Sequence, residues 1–286
     1  MRRLATILIA VIVLGWALVP AVRAALLVRH GAATAATSPL SNVTFAASDG
    51  VPLVGTYMDT ASARSAVILV HGFKNTRADM LDYAAFLHDA GYAVLLYDSR
   101  GCGASGGTFG VGATEDRDVA GAVSYLKTAH PGAARRIAVL GVSLGAGDAI
   151  LAGARDGRID AVIADSSWAD ERVQLERMDA LAVGPLTVPL LPYEPALVDA
   201  LVGARLEDAR PRDEVGSIAP RPLFLIHSAD DENATTTAAD TDALFAAARE
   251  PKTLWIAPRG GHAGAVGAQR DEYVRRVLAF LAQALG

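Results

Sequence analysis

Six short apolar runs, at residues 65–70, 92–97, 136–140, 159–164, 223–227 and 253–256, alternate along this chain with segments of helical spacing. Runs that are apolar throughout, rather than at every second residue, suit strands covered on both faces. Alternation of such strands with helices demands right-handed crossovers, which predicts an α/β fold with a mainly parallel, doubly wound sheet. The helices fall at 77–90, 115–129, 143–154, 237–248 and 268–284; in the second, Val119, Ala122, Val123 and Leu126 share one side. Segments 43–46 and 51–58 flank Ser48, Asp49 and Gly50 and read as a hairpin ahead of the parallel strands. With 52% hydrophobic residues the chain can bury one substantial core, assigned to a single domain at 42–286. The long interruption is a helical insertion at 169–220, after the sixth strand. Helices are expected at 172–182 and 194–206, with Pro185, Pro189, Pro192 and Pro195 between or beside them. Its apolar residues suit either a lid over a pocket or packing on the sheet.

The N-terminus reads differently. Arg2 and Arg3 precede a charge-free apolar run at 4–22, and Val22, Arg23 and Ala24 offer small residues where a signal peptidase could cut. The run exceeds the roughly 7 to 15 residues of a cleaved signal and just reaches the roughly 18 that span a bilayer. Residues 1–23 are therefore expected to be a signal peptide or a membrane anchor, and alanine-rich 24–41 a tether. Either reading puts the domain outside the cytoplasm, secreted or held at a membrane. A net charge of −5 provides no basic stripe for nucleic acid. The single cysteine, Cys102, excludes an intrachain disulfide and a thiolate zinc cluster.

In a doubly wound sheet, functional groups gather at the carboxyl ends of the strands. Gly141-Val142-Ser143-Leu144-Gly145 follows one apolar run and opens a helix of small residues, which reads as a nucleophile elbow. The two glycines remove side chains that would collide around a sharp turn, and the helix N-terminus points amide hydrogens toward developing negative charge. His71-Gly72-Phe73 follows an earlier run, Asp230, Asp231 and Glu232 a later one, and Gly260-Gly261-His262 the last. Serine, acid and histidine in that order, with an HG turn upstream, match the hydrolase form of the catalytic triad.

Across 42–285 the chain resembles the α/β-hydrolase superfamily, and within it the dienelactone-hydrolase and prolyl-oligopeptidase groups. His71-Gly72-Phe73 is similar to its oxyanion turn, 98–105 to its D-x-R-G-x-G-x-S loop, and 227–231 to its HGxxD acid turn, with Ser228 in place of the usual glycine. The resemblance implies that Ser143 attacks a carbonyl carbon, that His262 moves the proton, and that Asp231, with Asp230 as the alternative, orients the imidazole. The backbone N–H groups of Phe73 and Leu144 would bind the oxyanion. No metal and no organic cofactor are implied. The expected reaction is hydrolysis of a carboxylic ester, a small-molecule acyl substrate, through an acyl-enzyme; amides, peptides and thioesters use the same machinery. A noncatalytic binder built on this fold is the rival reading.

Other polar residues have plainer explanations. Residues 101–106 fit GxGxxG, yet the loop continues through Gly107 and Gly110 where a dinucleotide site needs a helix. Cys102 reads as a loop residue, His71 and His227 as hydrogen-bonded structural histidines, and Asp148 as filling a polar gap in packing. Glu115 and Asp118 read as acids that begin or solvate their helix.

Overall fold

The computed structural model describes residues 2–29, 42–60, 63–178, 180–183, 186–189 and 193–286. The chain opens with helix α1 (Arg2–Val28), followed by strands β1 (Asn42–Ala46), β2 (Pro52–Met58) and β3 (Ser65–Val70). A 3-10 turn at Arg77–Met80 leads into α2 (Leu81–Asp89), then β4 (Ala93–Tyr97), α3 (Asp116–Ala129), β5 (Arg136–Val142), α4 (Leu144–Arg155) and β6 (Ala161–Asp165). The insertion holds α5 (Glu171–Met178), β7 (Ala180–Val183), β8 (Leu186–Pro189), α6 (Glu194–Val202) and α7 (Pro211–Glu214). Strand β9 (Leu223–Ser228), α8 (Ala238–Ala247), β10 (Lys252–Ala257), α9 (Ala265–Ala268) and α10 (Arg270–Leu285) complete the fold.

The eight-stranded sheet has the order β1-β2-β4-β3-β5-β6-β9-β10. Strands β1 and β2 pair antiparallel and β2 meets β4 antiparallel; every other pairing in this sheet is parallel. The predicted α/β class and leading hairpin are thus present. Strands β3 and β5 lie side by side although β4 separates them in sequence, with Val70 opposite Gly141. Strand order reverses at this pair, so the turns after β3 and β5 open onto the same crevice.

The continuous apolar runs are explained by cores on both faces. One unites Ile68, Val139 and Val162 with Val123 of α3 and Ile150 of α4; the other unites Leu69, Leu140 and Ile163 with Leu87 of α2 and Tyr273 and Val277 of α10. A third cluster lies under the insertion, where Leu144, Trp168, Leu175 and Val198 meet.

Three segments differ from expectation. The helix expected at 172–182 stops at Met178, and β7 and β8 pair antiparallel, so 180–182 are strand rather than helix. Gly184, Pro185 and Pro189 break helical spacing here, and Val183, Thr187 and Val188 suit strands. The closing helix is preceded by a separate turn, α9. Helix α1 runs through the boundary expected at 23/24: Ala24 and Val28 are buried in the third cluster, and Lys74 donates from Nζ to the Leu26 carbonyl at 2.8 Å. Most of the expected tether, 30–41, lies outside the described residues. Leu4, Ile7, Leu8 and Val11 of α1 are exposed. Among the described residues no helix is long and apolar enough to cross a membrane.

Candidate active site

Ser143 sits between β5 and α4 with φ 57° and ψ −118°, a conformation that a non-glycine residue adopts only when its surroundings impose it. The two flanking glycines permit the turn. A Cβ on Gly145 would lie 2.5 Å from the His71 carbonyl oxygen, and one on Gly141 would overlap the Gly145 carbonyl. Only without those side chains can α4 dock against β3 and β5.

The three side chains named from the sequence come together. His262 Nε2 lies 2.8 Å from Ser143 Oγ, and His262 Nδ1 lies 2.9 Å from Asp231 Oδ2. Because the carboxylate can only accept, Nδ1 carries the hydrogen, which leaves Nε2 free to accept from the serine hydroxyl. Thr236 Oγ1 stands 3.2 Å from the same Nδ1. Asp230 does not contact the imidazole; it accepts from the Gly261 backbone N–H at 2.8 Å and so fixes the loop that carries the histidine.

Leu144 N–H is the first amide of α4, and Phe73 N–H follows the turn after β3; among the described residues neither donates a hydrogen bond. Gly72 brings the two turns together, a Cβ there falling 3.3 Å from Ser143 Cβ. His71 is structural, as expected: its Nε2 accepts from Ser99 N–H at 3.0 Å, so Nδ1 must donate to the Gly72 carbonyl at 2.8 Å. Burial depresses its basicity, keeping it in this neutral form. His227 departs from expectation. It is buried with neither ring nitrogen hydrogen-bonded, and its Nε2 is 3.9 Å from Asp231 Oδ2.

The D-x-R-G-x-G-x-S loop is a brace. Asp98 accepts from the Arg77 backbone at 2.8 Å and from its guanidinium at 2.5 Å. Arg100 spans Asp118 and, through two parallel bonds, Asp49 on the hairpin turn. Arg100 holds the Asp49 carboxyl at about 2 against the opposing effect of burial. No helix begins in this loop before Asp116. Cys102 is buried within it, its thiol pushed up to about 12 by burial and by nearby carboxylates.

Glu115 and Asp118 stand where α3 begins, as expected, but both are buried rather than solvating the helix end. Glu115 accepts from the backbone N–H groups of Gly110, Gly112 and Thr114, tying the loop to the start of α3. Burial, then the charge of Asp118, pushes Glu115 up to about 7; burial raises Asp118 to about 6 despite Arg100. Asp148 is also buried, its carboxyl raised well above the usual range by burial and by Glu115.

One residue that the sequence did not single out ties the site together. Asp165, at the end of β6, accepts Ser143 N–H on its carbonyl at 2.8 Å, and its carboxyl accepts from Tyr273 O–H at 2.9 Å and Ser166 O–H at 3.0 Å. Ser166 Oγ also accepts Ala263 N–H at 3.1 Å, next to His262. Burial pushes the Asp165 carboxyl up to about 6. A cleft of about 490 Å³ opens at Ser143 and His262, walled by Phe73, Val142, Val266 and, from the insertion, Gln174 and Met178.

A family model described as serine aminopeptidase, S33, matches residues 61–193. The uncharacterized protein YqkD of Bacillus subtilis is 33% identical over 238 residues, 81% of this chain and 76% of its own. The chain belongs to the α/β-hydrolase superfamily. The solved esterase Pf2001 of Pyrococcus furiosus is 26% identical, covers 86% of this chain and 93% of its own, and superposes with a TM-score of 0.70. The α/β-hydrolase GrgF of Penicillium shares the fold at a TM-score of 0.67 and 23% identity, over 85% of this chain and 98% of its own. The serine aminopeptidase description of the family model and the esterase likeness support hydrolase activity for this chain; the bond cleaved is a separate matter.

Proposed function

We propose that the protein is a serine hydrolase that cleaves a carboxylic ester through an acyl-enzyme. The observation that carries this reading is the unbroken chain of contacts from Ser143 Oγ through the His262 ring to Asp231. Ser143 attacks the carbonyl carbon while His262 Nε2 takes its proton; Asp231 stabilises the imidazolium, and the same proton then goes to the departing alkoxide. The N–H groups of Leu144 and Phe73 stabilise the oxyanion, a contribution worth roughly 10²- to 10³-fold in rate for one such donor. Water activated by His262 then releases the acid. The esterase likeness favours an ester; the aminopeptidase description of the family model supports an amide or peptide as a second reading.

Action outside the cytoplasm, with residues 1–23 in or at a membrane, is part of the same proposal. It rests on Arg2, Arg3 and the apolar run that follows. Fractionation of cells expressing the full chain tests it, recovery in the soluble cytoplasmic fraction being the contrary result. For the chemistry, a panel of chromogenic esters of increasing chain length is assayed beside aminoacyl amides. We expect ester turnover that Ser143→Ala and His262→Ala abolish. Preference for the amides would replace the ester assignment.

A further inference from the structure

Phe73 and Leu144, whose amides are assigned to the oxyanion, place their side chains in the hydrophobic cluster that also takes Ala24, Leu27 and Val28 from the end of α1. Phe73 meets buried Phe109 of that cluster edge-on, ring centres 5.3 Å apart. Lys74, the next residue, joins the two parts directly. Its Nζ donates to the Leu26 carbonyl at 2.8 Å and stands 5.8 and 5.9 Å from the centres of the Phe73 and Phe109 rings. Leu26 lies in the last turn of α1, where a carbonyl has no amide further along the helix and a lysine meets the negative end of the dipole. Arg23 and buried Glu194 of α6, 3.6 Å apart, hold the same stretch of α1.

The backbone around Lys74 matches this tie. Asn75 N–H donates to the Gly72 carbonyl at 3.2 Å, closing a turn over 72–75 in which Lys74 takes the third place with φ 51°. Glycine or asparagine ordinarily fills such a place. The side-chain anchor on α1 holds a lysine there, and the turn that it fixes sets where Phe73 N–H points. We propose that Lys74 is a positioning residue that fastens the oxyanion turn to the end of α1, which makes the N-terminal helix a working part of the hydrolase. This rests on the reading of Ser143 as nucleophile and of Phe73 N–H as an oxyanion donor.

The test measures nitrophenyl hexanoate kinetics on full-length variants. Lys74→Met keeps the apolar stem and loses the donor; Lys74→Gly also relieves the left-handed backbone, so its thermal midpoint stays near that of the parent. Both are expected to lower kcat about tenfold or more while KM stays within about threefold. A hexyl trifluoromethyl ketone, whose carbonyl Ser143 converts to a hemiketal oxyanion, loses affinity by the same factor in both. Lys74→Arg, which keeps a donor, recovers most of the loss. Ala24→Trp, which lifts the end of α1 from its cluster, lowers kcat likewise, and adding Lys74→Met to it costs little more. A kcat within about twofold of the parent in both Lys74→Met and Lys74→Gly overturns this inference alone. A lower kcat with unchanged ketone affinity, or full additivity with Ala24→Trp, overturns it as well. Absence of any turnover or acylation at Ser143 in the parent removes the hydrolase reading and this inference with it.

Discussion

Ser143 is kept at a positive φ by contacts on both sides, and the strain exposes its hydroxyl at the tip of the turn. Gly145 is one tight point of that arrangement, since a methyl there meets the carbonyl oxygens of His71 and Val70 at 2.5 and 2.6 Å. Both obstacles are backbone, so the helix must move to relieve them. Gly145→Ala is expected to cost about 2 to 3 kcal/mol in denaturant unfolding, and a loss below about 0.5 kcal/mol would contradict this packing. The adjacent aspartates make opposite predictions. Asp231→Asn removes the acceptor that fixes the His262 tautomer and should lower kcat about 10⁴-fold. Asp230→Asn disturbs only a bond to Gly261 N–H, and its kcat should stay within about tenfold of the parent. Steady-state ester kinetics on the pair decide between them, an equal loss in both being the contrary result.

Helix α1 has two halves with different partners. Its first turns expose Leu4, Ile7 and Leu8, whereas Ala24 and Val28 fill the cluster that contains Leu175 and Val198. Burying a valine is worth about 1.5 to 3 kcal/mol, which for a domain of this size is a shift of roughly 3 to 10 °C in midpoint. Deleting residues 1–41 should therefore lower the thermal midpoint by that amount, while deleting 1–22 should leave it within about 2 °C. Equal midpoints for the two truncations would show that the helix end does not support the insertion.

The strands and the order of their polar ends were legible because burial on both faces leaves an uninterrupted apolar record, and because site residues must follow it. Ser143, Asp231 and His262 could be named for that reason, from the turns after β5, β9 and β10. The place of Glu115 and Asp118 at the start of α3 was legible but their burial was not, because an acid near a helix start looks the same whether it faces solvent or folds back on a glycine loop. Residues 180–182, which open β7, fall inside the helix expected at 172–182 because a short apolar segment has no decisive period.

Across the whole molecule, buried carboxyls make stability depend on pH. Glu115, pushed up to about 7, and Asp118 and Asp165, pushed up to about 6, bind protons more tightly folded than unfolded. Asp148 and Glu171 are also raised well above the usual carboxylate range, by burial and by their acidic neighbours. A raised folded value contributes stability that is complete below the unfolded carboxylate range and is lost as pH rises through the folded one. Buried His71 and His227, whose values are lowered, oppose this only below about pH 6.5, where the unfolded imidazole gains its proton. Above that point the acids act alone, so the thermal midpoint should fall from about pH 6.5 to 7.5, through the folded value of about 7 at Glu115. A midpoint that rises over that interval would mean these carboxyls are solvated.

Trapping the covalent intermediate tests the account most directly. The full chain is mixed rapidly with a nitrophenyl ester, quenched in acid and mapped by peptide mass spectrometry. We expect a burst of nitrophenol of about one equivalent and a single acyl group on the peptide containing Ser143, both absent from Ser143→Ala and nearly absent from His262→Ala. Turnover with no acylated peptide, or acylation at another residue that survives Ser143→Ala, would contradict it.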